Sequence, residues 1–167
     1  MLYYCDVGIS HAEVPGETTL CIYISGCINR CKNCHFPELQ FAKYGDRLSF
    51  DIFEKLVELY SQYETCVCFM GEGNCSDDAK RELIRYASFA NDIGYKTCLY
   101  SGRDTNIEEW MRVFDYVKVG SYNELLGPLS CRTTNQRLYR KANNHYIDIT
   151  YVFWEESYDQ IKEKEIV

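Results

Sequence analysis

Cys66-Val67-Cys68-Phe69-Met70 is apolar at all five positions and runs straight into Gly71-Glu72-Gly73-Asn74. A short run with no polar face predicts a central strand of a parallel sheet covered on both sides. Before it, Ile52, Phe53, Leu56, Val57 and Tyr60 recur at helical spacing over Phe50 to Tyr63, behind Ser49 as N-cap. After it, Ala79, Leu83, Ala87 and Ala90 mark one face of a second helix over residues 77 to 93, with Ser76 before it and Gly94 where a C-cap glycine belongs. Three further apolar runs, Thr19 to Ile24, Lys96 to Tyr100 and Asp115 to Val119, complete the series. Asn106, followed three residues later by Glu109, predicts a short third helix ending near Phe114. Strand and helix in strict alternation predict crossover units and therefore an α/β fold with a mostly parallel sheet. A complete barrel of eight such units takes about 250 residues. A chain of 167 residues therefore predicts a partial, open β/α barrel. Residues 2 to 9 and 146 to 154, the latter alternating through Ile147, Ile149, Tyr151 and Phe153, are expected as extra strands.

Composition sets the outer bounds. The chain is 46% hydrophobic and 15% aromatic, enough apolar area for one substantial core. With three Pro, no repeat and no linker-like stretch, a single domain is expected over residues 1 to 167, with a charged tail from about residue 155. No apolar run approaches the roughly 18 residues of a bilayer span, and the N-terminus lacks the basic and apolar regions of a secretory signal. The expectation is a soluble, cytoplasmic protein with no membrane association. Eighteen Lys and Arg against twenty-five Asp and Glu give a net charge of -7, with no basic cluster, which disfavours direct nucleic-acid binding.

Ten cysteines are many for this length, and three of them fall together as Cys27, Cys31 and Cys34, a C-x3-C-x2-C pattern opened by Gly26. Three thiols so close leave one over if they pair as disulfides, so the pattern points to metal. A tetrahedral zinc site wants a fourth ligand, and His35, adjacent to Cys34, is poorly placed to share its metal. A cubic iron-sulfur cluster held by three cysteines follows a different logic, because its fourth iron stays open to a substrate or cofactor. Cys21, Cys66, Cys68 and Cys98 lie inside predicted strands and read as small buried hydrophobes. Cys75 has no spacing that makes it a ligand, and Cys5 and Cys131 carry no assignment.

C-x3-C-x2-C after a first strand resembles the radical S-adenosylmethionine (SAM) superfamily, and Gly71-Glu72 after the second strand is similar in place, and partly in letters, to that superfamily's Gly-Gly-Glu segment. Met70 stands where the first glycine would be. The short length narrows the likeness, together with His35-Phe36-Pro37-Glu38-Leu39, Tyr100-Ser101-Gly102-Arg103 and Thr133-Thr134-Asn135-Gln136-Arg137. From about Gly8 to Trp154 the chain resembles the family that activates anaerobic ribonucleoside-triphosphate reductase. The resemblance implies an open barrel of the radical SAM type and a 4Fe-4S cluster on Cys27, Cys31 and Cys34. It implies SAM contacts from Asn33, Cys34 and His35, an ammonium site at Gly71 and Glu72, and a further polar contact from Lys118, for which a solvent-facing role is the alternative. Asn33 stands where relatives commonly carry glycine, and Asn tolerates left-handed geometry better than most residues. The implied activity is an oxidoreductase's: reductive cleavage of SAM and abstraction of hydrogen from a glycine, leaving a glycyl radical on the large subunit of the reductase. The implied electron donor is a flavodoxin or ferredoxin.

Two rivals stand beside this reading. One keeps the chemistry and changes the substrate to another glycyl-radical enzyme or a peptide; the other is a non-enzymatic zinc or iron-sulfur module. No second C-x2-C separates Cys34 from Phe50, which disfavours activators carrying a ferredoxin-like insert.

Overall fold

The computed structural model describes residues 1 to 154, and the charged tail from about residue 155 lies outside the described residues. Three central strands fall where the apolar runs place them: β2 (Thr19–Ile24), β4 (Cys66–Met70) and β5 (Lys96–Tyr100), while the fourth, β6, covers Tyr116–Val119. These pair in parallel in the order β2-β4-β5-β6. Helix α1 spans Phe50–Tyr60, with Ser49 Oγ accepting from the Ile52 N–H, and α2 spans Asp77–Asp92, with Ser76 Oγ accepting from Ala79. Gly94 takes φ +99° just past α2, the left-handed geometry of a helix stop. Helix α1 ends three residues short of the expected Tyr63, because the Ser61 hydroxyl and N–H both turn back to the Glu58 carbonyl.

The sheet as a whole is not mostly parallel. It has eight strands in the order β3-β1-β2-β4-β5-β6-β7-β8, with β1 at Tyr3–Ser10, β3 at Asp46–Arg47, β7 at Arg137–Ala142 and β8 at His145–Asp148. Three of its seven pairings are parallel and four antiparallel, so the correct description is α/β with an open mixed sheet. The cause is local: β7 and β8 form a hairpin around Asn143, at φ +55°, and β1 folds back on β2 through the loop at residues 11 to 18.

Two further expectations are corrected. Residues 106 to 114 do not form an α-helix; Glu109–Val113 make a 3-10 turn, and Glu108, not Asn106, precedes it. Glu108 is drawn to Arg103 and the Trp110 indole, so its carboxylate caps no helix. The strand expected at 146 to 154 stops at Asp148, whose Oδ1 accepts from both the N–H and hydroxyl of Thr150 and bends the chain into a 3-10 turn over Thr150–Trp154.

Side-chain alternation gives the central sheet two different faces. One carries Leu20, Ile22, Ile24, Val67, Phe69, Leu99, Val117 and Val119 against Phe53 and Val57 of α1 and Leu83, Tyr86 and Ala87 of α2. Both helices therefore cover the same face. The opposite face reads across the strands in rows: Cys21, Cys68, Cys98 and Tyr116, then Tyr23, Met70, Tyr100 and Lys118. Val14, Leu138, Ile149, Val152 and Phe153 close over the cysteine row. The second row lies nearer the C-terminal strand ends and is less fully covered, apart from Lys118. Among the described residues no helix is long and apolar enough to cross a membrane.

Candidate functional site

The residues expected to hold the cluster and SAM (Cys27, Cys31, Asn33, Cys34, His35, Gly71, Glu72 and Lys118) lie beyond or near the C-terminal end of a parallel strand, where open α/β sheets hold their ligands. The cysteine loop leaves β2 through Ser25 and Gly26, and Gly71–Glu72 follow β4. Ser101 to Arg103 follow β5, and Lys118 lies on β6. These segments touch. A side chain at Gly71, which has φ +118°, would place its Cβ 3.0 Å from the Ile24 carbonyl oxygen, and one at Gly102 would run into the Asn29 amide of the cysteine loop. Glycine at 71 lets the main chain of β4 turn hard against the end of β2.

The cysteine loop is fastened at its base and along its length. The Leu39 carbonyl accepts from the N–H groups of both Gly26 and Cys27 at 2.7 Å, and the Phe36 ring packs 4.6 Å from that of Tyr23. Gln40 Nε2 donates to the Cys31 carbonyl at 3.4 Å. Asn33 adopts φ +55°, the left-handed conformation for which asparagine is the best substitute for glycine. Its Nδ2 donates to a Glu124 carboxylate oxygen, and Lys32 Nζ meets the other at 2.6 Å. Glu124 thus clasps the cysteine loop from the segment that follows β6.

The three thiols are half-buried. Burial pushes the Cys27 thiol up, and the neighbouring Cys31 and Cys34 push the same way. Lys118 is buried, at 7% exposure, and its Nζ donates to the Gly120 carbonyl at 2.7 Å. Burial lowers it to about 8, while Cys31, Cys27, Cys34 and Asp104 act in the opposite sense. The solvent-facing alternative for Lys118 is thereby removed. Among the described residues no group of three or more His, Cys, Asp or Glu side chains is gathered closely enough to hold one metal ion, the cysteine triad included. Three thiolates are the donor set that a three-cysteine iron-sulfur cluster would use, one to each of three irons.

Glu72 is 5% exposed and densely bonded: its carboxylate accepts from Ser101 Oγ at 2.5 Å, Arg103 Nε at 2.7 Å and Arg103 Nη2 at 3.1 Å. Arg103 Nη1 also reaches Glu108 Oε1 at 2.5 Å. The structure therefore joins the three cysteines with Lys118 in one neighbourhood, and Glu72 with Ser101 and Arg103 in an adjoining one. It turns the Asn33 side chain to Glu124 and leaves His35 exposed, 5.5 Å from the Phe36 ring. Glu108 and Glu124 had no motif to mark them. Arg103 was visible only as a letter in Tyr100-Ser101-Gly102-Arg103.

Two cavities flank this edge of the sheet. One of about 230 Å³ is lined in part by Ser25, Gly26, Gly73 and Asn74, between the cysteine loop and the segment after β4. The other, about 530 Å³, includes Asp104, Asn106, Val119 and Tyr139 together with Asn135 and Arg137 of the Thr133-to-Arg137 stretch, and none of the expected cluster or SAM residues.

Comparison of the chain with protein-family models, with curated proteins and with solved structures found no match.

Proposed function

We propose that this chain is a radical SAM activase. In this reading it holds a 4Fe-4S cluster on Cys27, Cys31 and Cys34, binds SAM beside it, and generates a glycyl radical on the large subunit of anaerobic ribonucleoside-triphosphate reductase. One observation carries the reading: the three-thiol loop leaves the first parallel strand directly beside Gly71 and Glu72, with the buried cation Lys118 on β6 in the same sheet row as Tyr23 and Met70. The covering of one sheet face by both helices supports a partial barrel of the radical SAM type, since barrel crossovers keep to one side and doubly wound sheets use both. Localisation in the cytoplasm and electron supply by a flavodoxin or ferredoxin belong to the same proposal.

When bound, the cluster would supply the electron that cleaves a carbon-sulfur bond of SAM. The chain's own residues bind and orient. Lys118 is a buried ammonium without an ion-pair partner among the described residues, suited to the carboxylate of an amino-acid moiety. Glu72 and the carbonyls around Gly71 are suited to the ammonium of the same moiety. Tyr23, Met70 and Tyr100 line the row of the sheet that Lys118 completes.

The test is anaerobic reconstitution with iron and sulfide, followed by reduction with SAM. Wild type is expected to retain iron and acid-labile sulfide and to release 5'-deoxyadenosine; Cys31→Ala is expected to lose SAM cleavage by about a hundredfold or more. Uptake of one zinc without sulfide, and no cleavage, would overturn the proposal in favour of a binding module. A glycyl signal by electron paramagnetic resonance on the reductase, and not on other glycyl-radical enzymes, identifies the partner.

A further inference from the structure

Glu72 and Arg103 form the most heavily bonded buried ion pair near the site, and its details go beyond a simple salt bridge. Arg103 donates from Nε and Nη2 to the two oxygens of Glu72, a two-pronged contact that fixes the plane of the carboxylate. Ser101 Oγ adds a third donor, on Oε1. Arg103 cannot swing away, because Nη1 is held by Glu108 Oε1, and Glu108 is held in turn by Trp110 Nε1 at 2.7 Å and Lys80 Nζ at 3.7 Å. A carboxylate has about four acceptor positions. Two on Oε1 are filled by Ser101 and Arg103, and one on Oε2 by Arg103; the Cys75 thiol lies 3.7 Å from Oε2 as a weak fourth contact. Oε2 carries the weaker pair of contacts, and a strong donor gains it by displacing the Cys75 thiol.

We propose that Arg103, steadied by Glu108 and assisted by Ser101, is a positioning residue that aims Oε2 of Glu72 at the ammonium group of an amino-acid-bearing ligand. This rests on the SAM-binding reading given above. Its physical content is preorganisation: a carboxylate already fixed in plane loses little freedom when the ammonium arrives. Without Arg103, the carboxylate keeps Ser101 as its one strong donor and is free to turn out of the plane that directs Oε2.

The discriminating measurement is the ratio of affinities for SAM and for its analogue lacking the amino group. It is made by equilibrium dialysis on the reconstituted protein without reductant, so no turnover intervenes. Wild type is expected to prefer SAM by on the order of tenfold. Arg103→Ala is expected to bring the ratio close to one, Arg103→Lys to leave it intermediate, and Ser101→Ala to lower it about threefold. Glu72→Gln should abolish the preference by itself, and Arg103→Ala should add nothing to it. A role confined to holding the fold together would weaken both ligands alike and leave the ratio unchanged; that result, in Arg103→Lys or Ser101→Ala protein that melts like wild type, overturns the inference alone. If wild type binds neither ligand, the SAM reading fails and the inference falls with it.

Discussion

Strand β4 is flanked by two buried glutamates, Glu64 before Cys66 and Glu72 after Met70, and they could hardly be treated more differently. Their exposures, 6% and 5%, are nearly equal. Both oxygens of Glu64 lack a hydrogen-bond partner, and burial raises its carboxyl to about 8. Glu72 is gripped by a bidentate arginine and a serine hydroxyl. The difference shows that burial alone does not mark a working carboxylate. What marks Glu72 is the set of donors from the loop after β5, the strand next to its own in the sheet.

The largest blow to this contrast should come from the Glu72 side. Arg103→Ala leaves a buried carboxylate without its cation and is expected to cost about 3 kcal/mol of unfolding free energy, read by denaturant titration near neutral pH. An unchanged midpoint would show that Glu72 is as unsupported as Glu64. The second test works on Glu64 with the opposite sign. A carboxyl raised in the folded state binds more protons there than in the unfolded chain, so its stability contribution is full below its ordinary value of 4.5 and is lost as pH rises through about 8. Glu64→Gln should therefore match wild type near pH 5 and exceed it by about 2 kcal/mol at pH 9, measured by thermal or urea unfolding. Parallel profiles would remove the contrast.

The smallest effect belongs to Glu108, which Arg103 draws down to about 2. A depressed carboxyl contributes stability above its unfolded value, 4.5 here, and that contribution is lost as pH falls toward the folded value. Relative to Glu108→Gln, wild type should lose about 1 kcal/mol between pH 5 and pH 2, because the group is partly solvated. A similar slope in both proteins would separate Glu108 from the Arg103 network.

The sequence carried the local grammar of this fold well. Ser49 and Ser76 cap the two helices because a hydroxyl ahead of an amphipathic run has an orphan N–H to accept from. CVCFM is a strand with both faces covered, as its unbroken apolar run implies, and KTCLY buries its middle three residues beside it. Asn33 takes the left-handed backbone that asparagine tolerates better than most residues. What escaped was long-range. Arg137-Leu-Tyr-Arg-Lys-Ala142 buries only Leu138, so β7 has no apolar signature, and whether an outer strand runs up or down depends on loops and not on its own residues. The third helix failed for a related reason: a capping box requires its glutamate to look inward to the chain start, and Glu109 instead pairs with Arg112 while Glu108 turns to Arg103. In the candidate site the cysteines and Gly71-Glu72 were legible because they are contiguous. Arg103 lies 31 residues from Glu72 and Glu124 lies 91 from Asn33, and no spacing rule spans such gaps.

The single carbonyl of Leu39, shared by the amides of Gly26 and Cys27, has a thermodynamic consequence for whatever the cysteine loop binds. Bringing the ends of a segment of this length together costs on the order of 2 kcal/mol of chain entropy. Here the folded sheet bears that cost in advance, through Phe36 against Tyr23 and the stitch at Leu39. A ligand arriving at the thiols meets a loop already closed. Its binding free energy goes into bonds and not into gathering chain, so affinity should depend weakly on temperature-driven loosening of the loop until the sheet itself melts.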